Sequence, residues 1–131
     1  FQQISKENKI KLFVGSDGYK NGEQKRDFIH VDDITNITLD TLINNYNSGI
    51  YNLGTGVATT FNKVANIIIE ILGYKNQIEI EYINFPNNLL QGYQSYTKAN
   101  LNHFKKNGLN YNFTNIKNGV ISYIENLNKN K

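Results

Sequence analysis

Cysteine is absent from these 131 residues. That excludes disulfide bonds, a thiolate nucleophile and a cysteine-ligated zinc. No apolar run approaches the roughly 20 residues needed to span a bilayer, and no segment has the charged-then-apolar pattern of a secretory leader. A basic stripe is also missing. The net charge is +3 and the isoelectric point about 9.0, but only Lys105 and Lys106 are adjacent among the lysines. Nucleic-acid binding normally shows as clustered basic residues. The expectation is therefore no nucleic acid and no membrane as partner, with weak steering of an anionic small molecule. His30 and His103 each stand without a partner at metal-ligand spacing, so no metal is expected.

Arginine is nearly absent. Arg26 stands alone against thirteen lysines. In a composition that leans to Lys, Asn and Ile, a cation needed only for its charge is written as Lys. Guanidinium offers a planar fork of donors that grips a phosphate or carboxylate through two parallel bonds; an ammonium acts as a point charge. Arg26 thus has two readings, anion binding or a structural ion pair with Asp27 or another carboxylate. It opens an orderly run, Arg26-Asp27-Phe28-Ile29-His30-Val31-Asp32-Asp33.

What is present suffices for one ordinary domain. The hydrophobic share is 39% and includes nine Tyr and seven Phe, which bury much area per residue. Lys9 to Val14 alternates and predicts a strand, followed by turn chemistry at Gly15-Ser16-Asp17-Gly18. Arg26 to Val31 predicts a second strand, with Arg26, Phe28 and His30 on one face. Asp32 and Asp33 suit the cap of a helix carrying Ile34, Ile37, Leu42 and Tyr46. Ile50 to Leu53 predicts a short strand. Thr59-Thr60 precedes a helix whose Phe61, Val64, Ala65, Ile68, Ile71 and Leu72 fall on one stripe, with Gly73 just past its end. Ile78 to Ile83 alternates as a strand, broken at Phe85-Pro86-Asn87-Asn88. Thr97 suits the cap of a short helix through Leu101 and Phe104, stopped by Gly108. Thr114 or Asn115 suits the cap of a last helix with Ile116, Val120, Tyr123, Ile124 and Leu127 inward. The tail from Asn126 to Lys131 is expected to fray. Alternating strands and helices over residues 28 to 73 predict an α/β fold.

Three segments have chemical potential. Phe13-Val14-Gly15-Ser16 offers an apolar wall and backbone donors suited to a nucleobase, or is a plain hairpin end. Asn52-Leu53-Gly54-Thr55-Gly56 offers glycines and free amides for a phosphate, or is a tight turn before a helix. Tyr93, after Gly92, offers a ring and hydroxyl to a sugar or phosphate, or is an ordinary half-exposed tyrosine.

Taken in order, these runs carry a resemblance. Leu12-Phe13-Val14-Gly15-Ser16, the arginine run, Ser48 to Gly56, Ile80 to Pro86 and Gly92-Tyr93-Gln94-Ser95-Tyr96-Thr97 together resemble the C-terminal portion of extended short-chain dehydrogenase/reductases acting on nucleotide sugars. The Phe-Pro segment followed by Gly-Tyr-Gln-Ser-Tyr-Thr looks most like the ADP-glyceromanno-heptose 6-epimerase family. The resemblance implies an α/β part that binds the nucleotide sugar ADP-heptose, beside a Rossmann half that binds NADP. The family's reaction inverts C6 of the heptose used for lipopolysaccharide core, by transient oxidation and return of the hydride to the other face. The resemblance implies that Phe13, Val14, Gly15 and Ser16 line the ADP site, that Arg26 grips the diphosphate, and that Tyr93 reaches the nucleotide or its phosphates. Residues about 28 to 56 are expected to dock on the NADP-binding half.

The family's glycine-rich first turn and its Tyr-x-x-x-Lys pair do not occur here: Tyr19 is followed four positions on by Glu23, Tyr93 by Thr97 and Tyr96 by Asn100. So the resemblance implies no catalytic residue and no cofactor-binding residue in this chain, which alone is expected to be inactive. The chain starts without Met, on Phe1-Gln2-Gln3-Ile4-Ser5, which reads as the end of an apolar helix. Without the Rossmann half, exposed strand edges, an exposed apolar face and self-association into a homo-oligomer are expected, in the cytoplasm. Two alternatives stay open: a piece of another nucleotide-sugar epimerase or dehydratase using UDP- or dTDP-sugars, and a non-enzymatic interaction module.

Overall fold

A computed structural model describes residues 2–86, 88, 89 and 92–129. The order is α1 (Gln2–Glu7), β1 (Lys9–Phe13), β2 (Lys25–Asp27), α2 (Val31–Ile43), β3 (Ala58–Thr60), α3 (Phe61–Ile71), β4 (Glu79–Ile83), α4 (Asn102–Lys106) and α5 (Ile116–Lys129). The expected α/β composition is present, with five helices among the described residues. Phe1, Asn130 and Lys131, which the expected leading helix and fraying tail include, lie outside the described residues, as do Asn87 and Gln91.

Among the described residues two small sheets organise the chain. β1 pairs parallel with β4, from Lys9 opposite Glu79 to Phe13 opposite Ile83. β2 pairs antiparallel with β3, with Arg26 opposite Thr59. The alternation of Ile10 and Leu12 turns those side chains inward. There they meet Ile4 of α1, Ala65, Ile68, Ile69 and Leu72 of α3, and Ile78 and Ile80. A second cluster packs Ile37 of α2 against Phe104 of α4 and Leu109, with Tyr46, Tyr51, Leu101, Tyr111 and Phe113 around it. α3 buries Ile67 and Ile69 in addition to Ala65, so its apolar face is wider than a single stripe.

Four local expectations are corrected. The strand at Arg26 ends at Asp27, not Val31, because α2 begins at Val31. Its N-cap is His30, whose Nδ1 accepts the Asp32 amide at 3.3 Å, not Asp32 or Asp33. Asp33, 3% exposed, is instead a tether: it accepts the Tyr111 hydroxyl at 3.1 Å, and the Thr114 amide and hydroxyl at 2.9 Å each. Ile50 to Leu53 forms no strand; Ile50 is 92% exposed, and the strand of this region is Ala58–Thr60. α4 starts at Asn102 with no side-chain cap, so Thr97 does not begin it. Thr97 donates its amide to the Lys25 carbonyl at 3.1 Å instead.

Other terminal signals hold. The Thr60 hydroxyl accepts from the Lys63 amide at 3.1 Å and caps α3, and Gly73 follows it with φ +74°. Asn115 caps α5, accepting the Asn118 amide at 3.0 Å. Along α5, Ile124 is buried and Tyr123 is exposed, so the inward stripe is narrower than the sequence pattern predicts.

Candidate functional site

Parallel pairing of β1 and β4 carries both carboxyl ends to the same side of the molecule. Crevices outside such strand ends are where α/β sheets bind ligands. Phe13 ends β1, and Phe85 follows β4 by two residues. Their rings stack there, centroids 4.4 Å apart. Tyr93 closes the group edge-on, 4.7 Å from Phe85 and 6.1 Å from Phe13.

Arg26 reaches this wall from β2. One edge of β2 is held by β3; on the other, the Lys25 amide donates to the Ser95 carbonyl at 2.9 Å. The 93–97 segment therefore runs along one side of Arg26, and Phe61, the first residue of α3, lies on the other. The guanidinium carbon sits 5.0 Å from the centre of the Tyr93 ring and 5.9 Å from that of Phe61. Among the described residues its one hydrogen bond goes from Nη1 to the Lys25 carbonyl, 3.0 Å. Among the described residues Arg26 makes no ion pair. Asp27, the suggested structural partner, faces away and accepts Thr55, Gly56 and Ala99.

The 13–16 segment is fixed by polar bonds on its own side. Val14 donates its amide to the Ile83 carbonyl at 3.0 Å, and its carbonyl accepts Gln24 Nε2 at 2.7 Å. The Gly15 amide donates to Asn21 Oδ1 at 2.9 Å. A Cβ on Gly15 would stand 2.0 Å from the Tyr19 carbonyl oxygen, which explains glycine there. So the amides of Val14 and Gly15 are committed within the protein, and what this segment offers a ligand is its apolar surface.

Ser16 belongs to a directional chain of hydrogen bonds. Ser95 donates to Asp17 Oδ2 at 2.6 Å, so the Ser16 hydroxyl, 2.7 Å from Ser95 Oγ, must donate to it. Gln24, 1% exposed, donates in turn to Ser16 at 3.3 Å. The Ser16 proton is thereby committed, and the chain ties the loop after β1 to the loop carrying Tyr93. Gln24, Ser95, Asp17, Phe61 and Phe85 were not singled out by sequence reasoning. Phe85 and Ser95 lie in runs that carried the resemblance, Asp17 in the glycine turn and Phe61 on the helix stripe, while Gln24 had no local signal.

The glycine turn at residues 54–56 does not free its amides for a phosphate. The Thr55 and Gly56 amides both donate to Asp27, at 2.8 Å each. Gly54 is required by close approach: a Cβ would lie 2.5 Å from Ala99 Cβ and 2.7 Å from Asp27 Oδ2. This is the tight-turn reading of the motif. Burial pushes the Asp27 carboxyl up, but hydrogen bonds from the Thr55 side chain and the Ala99, Thr55 and Gly56 amides outweigh it and hold the group below its ordinary value. Among the described residues no cluster of His, Cys, Asp or Glu is arranged to hold a metal, and no helix is long and apolar enough to cross a membrane.

No family model matches the chain. In sequence it is 44% identical over 124 residues to the ADP-L-glycero-D-manno-heptose-6-epimerase of Alkalilimnicola ehrlichii; the match takes in 95% of this chain and 38% of that protein. In structure it resembles the Bordetella bronchiseptica enzyme WbmH, solved with NAD+ (TM-score 0.75, 15% identity, 98% of this chain and 38% of that one). It also resembles the UDP-N-acetylglucosamine 4-epimerase of Methanobrevibacter ruminantium M1, solved with UDP-N-acetylmuramic acid (TM-score 0.66, 21% identity, 90% and 35%). The NAD-dependent NDP-hexosamine 5,6-dehydratase TunA is similar too (TM-score 0.68, 20% identity, 95% and 38%). The chain thus spans little more than a third of the length of the proteins it matches. The fold is the α/β arrangement of the C-terminal part of extended short-chain dehydrogenase/reductases.

Proposed function

We propose that this chain is the nucleotide-sugar-binding portion of an ADP-D-glycero-D-manno-heptose 6-epimerase. The carrying observation is the isolated arginine: Arg26, with no carboxylate partner among the described residues, lies over Tyr93 beside the Phe13 and Phe85 rings. A positive fork with no internal counter-charge next to an aromatic wall suits a nucleoside diphosphate, whose base stacks while its phosphates meet the guanidinium. In this reading Arg26 grips the diphosphate, Phe13, Val14, Gly15 and Ser16 line the nucleotide, and Tyr93 bridges ring and phosphate. The sequence identity to the heptose epimerase supports ADP-heptose as the substrate. The parent activity is an isomerisation in lipopolysaccharide heptose synthesis, in the cytoplasm.

NADP is the proposed cofactor of the parent enzyme, and the residues present here do not fit it. The glycine turn that precedes α3 has its Thr55 and Gly56 amides bonded to Asp27, so it offers no phosphate cradle. With no Tyr-x-x-x-Lys pair in the sequence, no catalytic residue is assigned, and the chain by itself is inactive in this reading. Residues about 28 to 56 dock on the NADP-binding half. What supports this is the apolar surface they leave in solvent: Val31, Leu39, Leu42, Ile43 and Ile50 are all more than half exposed.

Calorimetric titration of ADP, UDP and dTDP into the chain and into its Arg26→Lys variant tests the proposal. ADP is expected to bind tightest, and R26K to weaken it about tenfold through loss of the bidentate grip. A folded chain that shows no preference among the three overturns the ADP assignment. Tightest binding of UDP would move the chain to the UDP-sugar enzymes whose fold it shares, and tightest binding of dTDP to a dTDP-sugar enzyme.

A further inference from the structure

Arg26 is oriented by rings rather than by a counter-ion. An arginine committed to a carboxylate has its fork occupied and its charge offset before any ligand arrives. Here two ring faces and one bond from Nη1 to the Lys25 carbonyl supply the orientation, and a ring face occupies none of the remaining in-plane N–H donors. One face, Tyr93, lies on the substrate-lining loop. The other, Phe61, does not belong to the wall: it is the first residue of α3, on the far side of β2 from Tyr93.

Phe61 is itself held in place. Its amide donates to the Gln24 carbonyl at 3.2 Å, and its ring meets Phe28 edge-on at 5.6 Å. The Arg26–Thr59 register sets the start of α3 two residues from the strand position opposite the arginine. The cradle is thus fixed by β2–β3 pairing and by helix capping at Thr60. We infer that Phe61 is a positioning residue: its ring pre-orients the Arg26 guanidinium toward the anion and leaves the donors not bonded to Lys25 free, without touching the ligand. This rests on the reading of Arg26 as the diphosphate grip.

A single arginine makes the test direct, because its Nε–Hε pair gives one cross-peak in a 15N spectrum. That signal is expected to lie upfield from ring currents. Phe61→Leu should move it downfield, and Phe61→Tyr should leave it in place. In the same chains, F61L should weaken ADP binding about three- to fivefold, the range of a partly exposed cation–π contact, and F61Y should retain wild-type affinity. Phe61→Met, which keeps the volume without the π face, serves if F61L does not fold and should behave as F61L does. An unmoved Arg26 signal in F61L or F61M overturns the inference. So does unchanged ADP affinity in those variants while R26K loses it, a result that leaves the function proposal standing. If R26K binds ADP as the wild type does, the diphosphate reading fails and takes this inference with it.

Discussion

Asp27 and Thr55 are joined twice through one atom: Asp27 Oδ1 accepts the Thr55 amide at 2.8 Å and the Thr55 hydroxyl at 2.6 Å. Oδ2 of the same carboxylate accepts the Gly56 amide at 2.8 Å and the Ala99 amide at 3.0 Å. One acidic side chain thereby ties β2, the glycine turn and the lead-in to α4. It also explains why the residue next to Arg26 does not neutralise it.

The first prediction follows from this hub. Asp27→Asn has one acceptor oxygen for four donors and should cost about 2–3 kcal/mol at neutral pH. The Asp27 carboxyl is held below its ordinary value in the folded chain. Its contribution is therefore fully present above the unfolded value of about 3.9 and is lost as pH falls through the lower folded value. Melting temperatures of wild type and D27N, followed from about pH 6 down to about pH 2.5, should converge at the acid end. A gap that stays constant would refute the assignment.

Asp33 plays the corresponding part for α2 and α5. It is buried and accepts from Tyr111 and twice from Thr114. Asp33→Ala should cost about 3 kcal/mol by stranding those donors. In hydrogen exchange the Thr114 amide should lose protection first. If it stays as protected as in the wild type, Asp33 is not the tether.

Ser95 links the two loops that carry the aromatic wall, accepting from Ser16 and donating to Asp17. Ser95→Ala removes both bonds and should cost about 1–2 kcal/mol. ADP affinity should fall severalfold more than global stability alone accounts for, because Phe13 and Tyr93 lose their shared anchor. Equal affinity in a folded S95A would show that the loops hold their places without it.

The outer surface of α2 bears on association. Leu42 is 77% exposed and Ile43 80%, with Ile50 beyond them at 92%. Exposed apolar residues grouped in this way favour association. The double substitution Leu42→Glu, Ile43→Lys should shift sedimentation from oligomer toward monomer without lowering the melting temperature. An unchanged sedimentation profile would place any self-contact elsewhere.

Much of the architecture was legible locally. Period-two alternation marked β1 and β4, and the cap at Thr60 with Gly73 past the end bracketed α3, because those signals act within a few residues. The same local logic misplaced what depends on distant partners. Asp33 has the chemistry of a cap, yet Tyr111 and Thr114 draw it into the interior. Ile50 to Leu53 has the composition of a strand but finds no neighbour to pair with, and pairing is what makes a strand.

The sequence by itself determined that one forked cation stands among lysines, that glycine turns follow short strands, and that thiolate chemistry and cysteine-bound metal are excluded. Only the tertiary structure decided which groups are free to do it. The 54–56 amides are consumed by Asp27 and the Ser16 proton by Ser95, while Arg26 is left open between Phe61 and Tyr93. Hydrogen-bonding capacity is finite, and which donors are already occupied depends on contacts between residues dozens of positions apart.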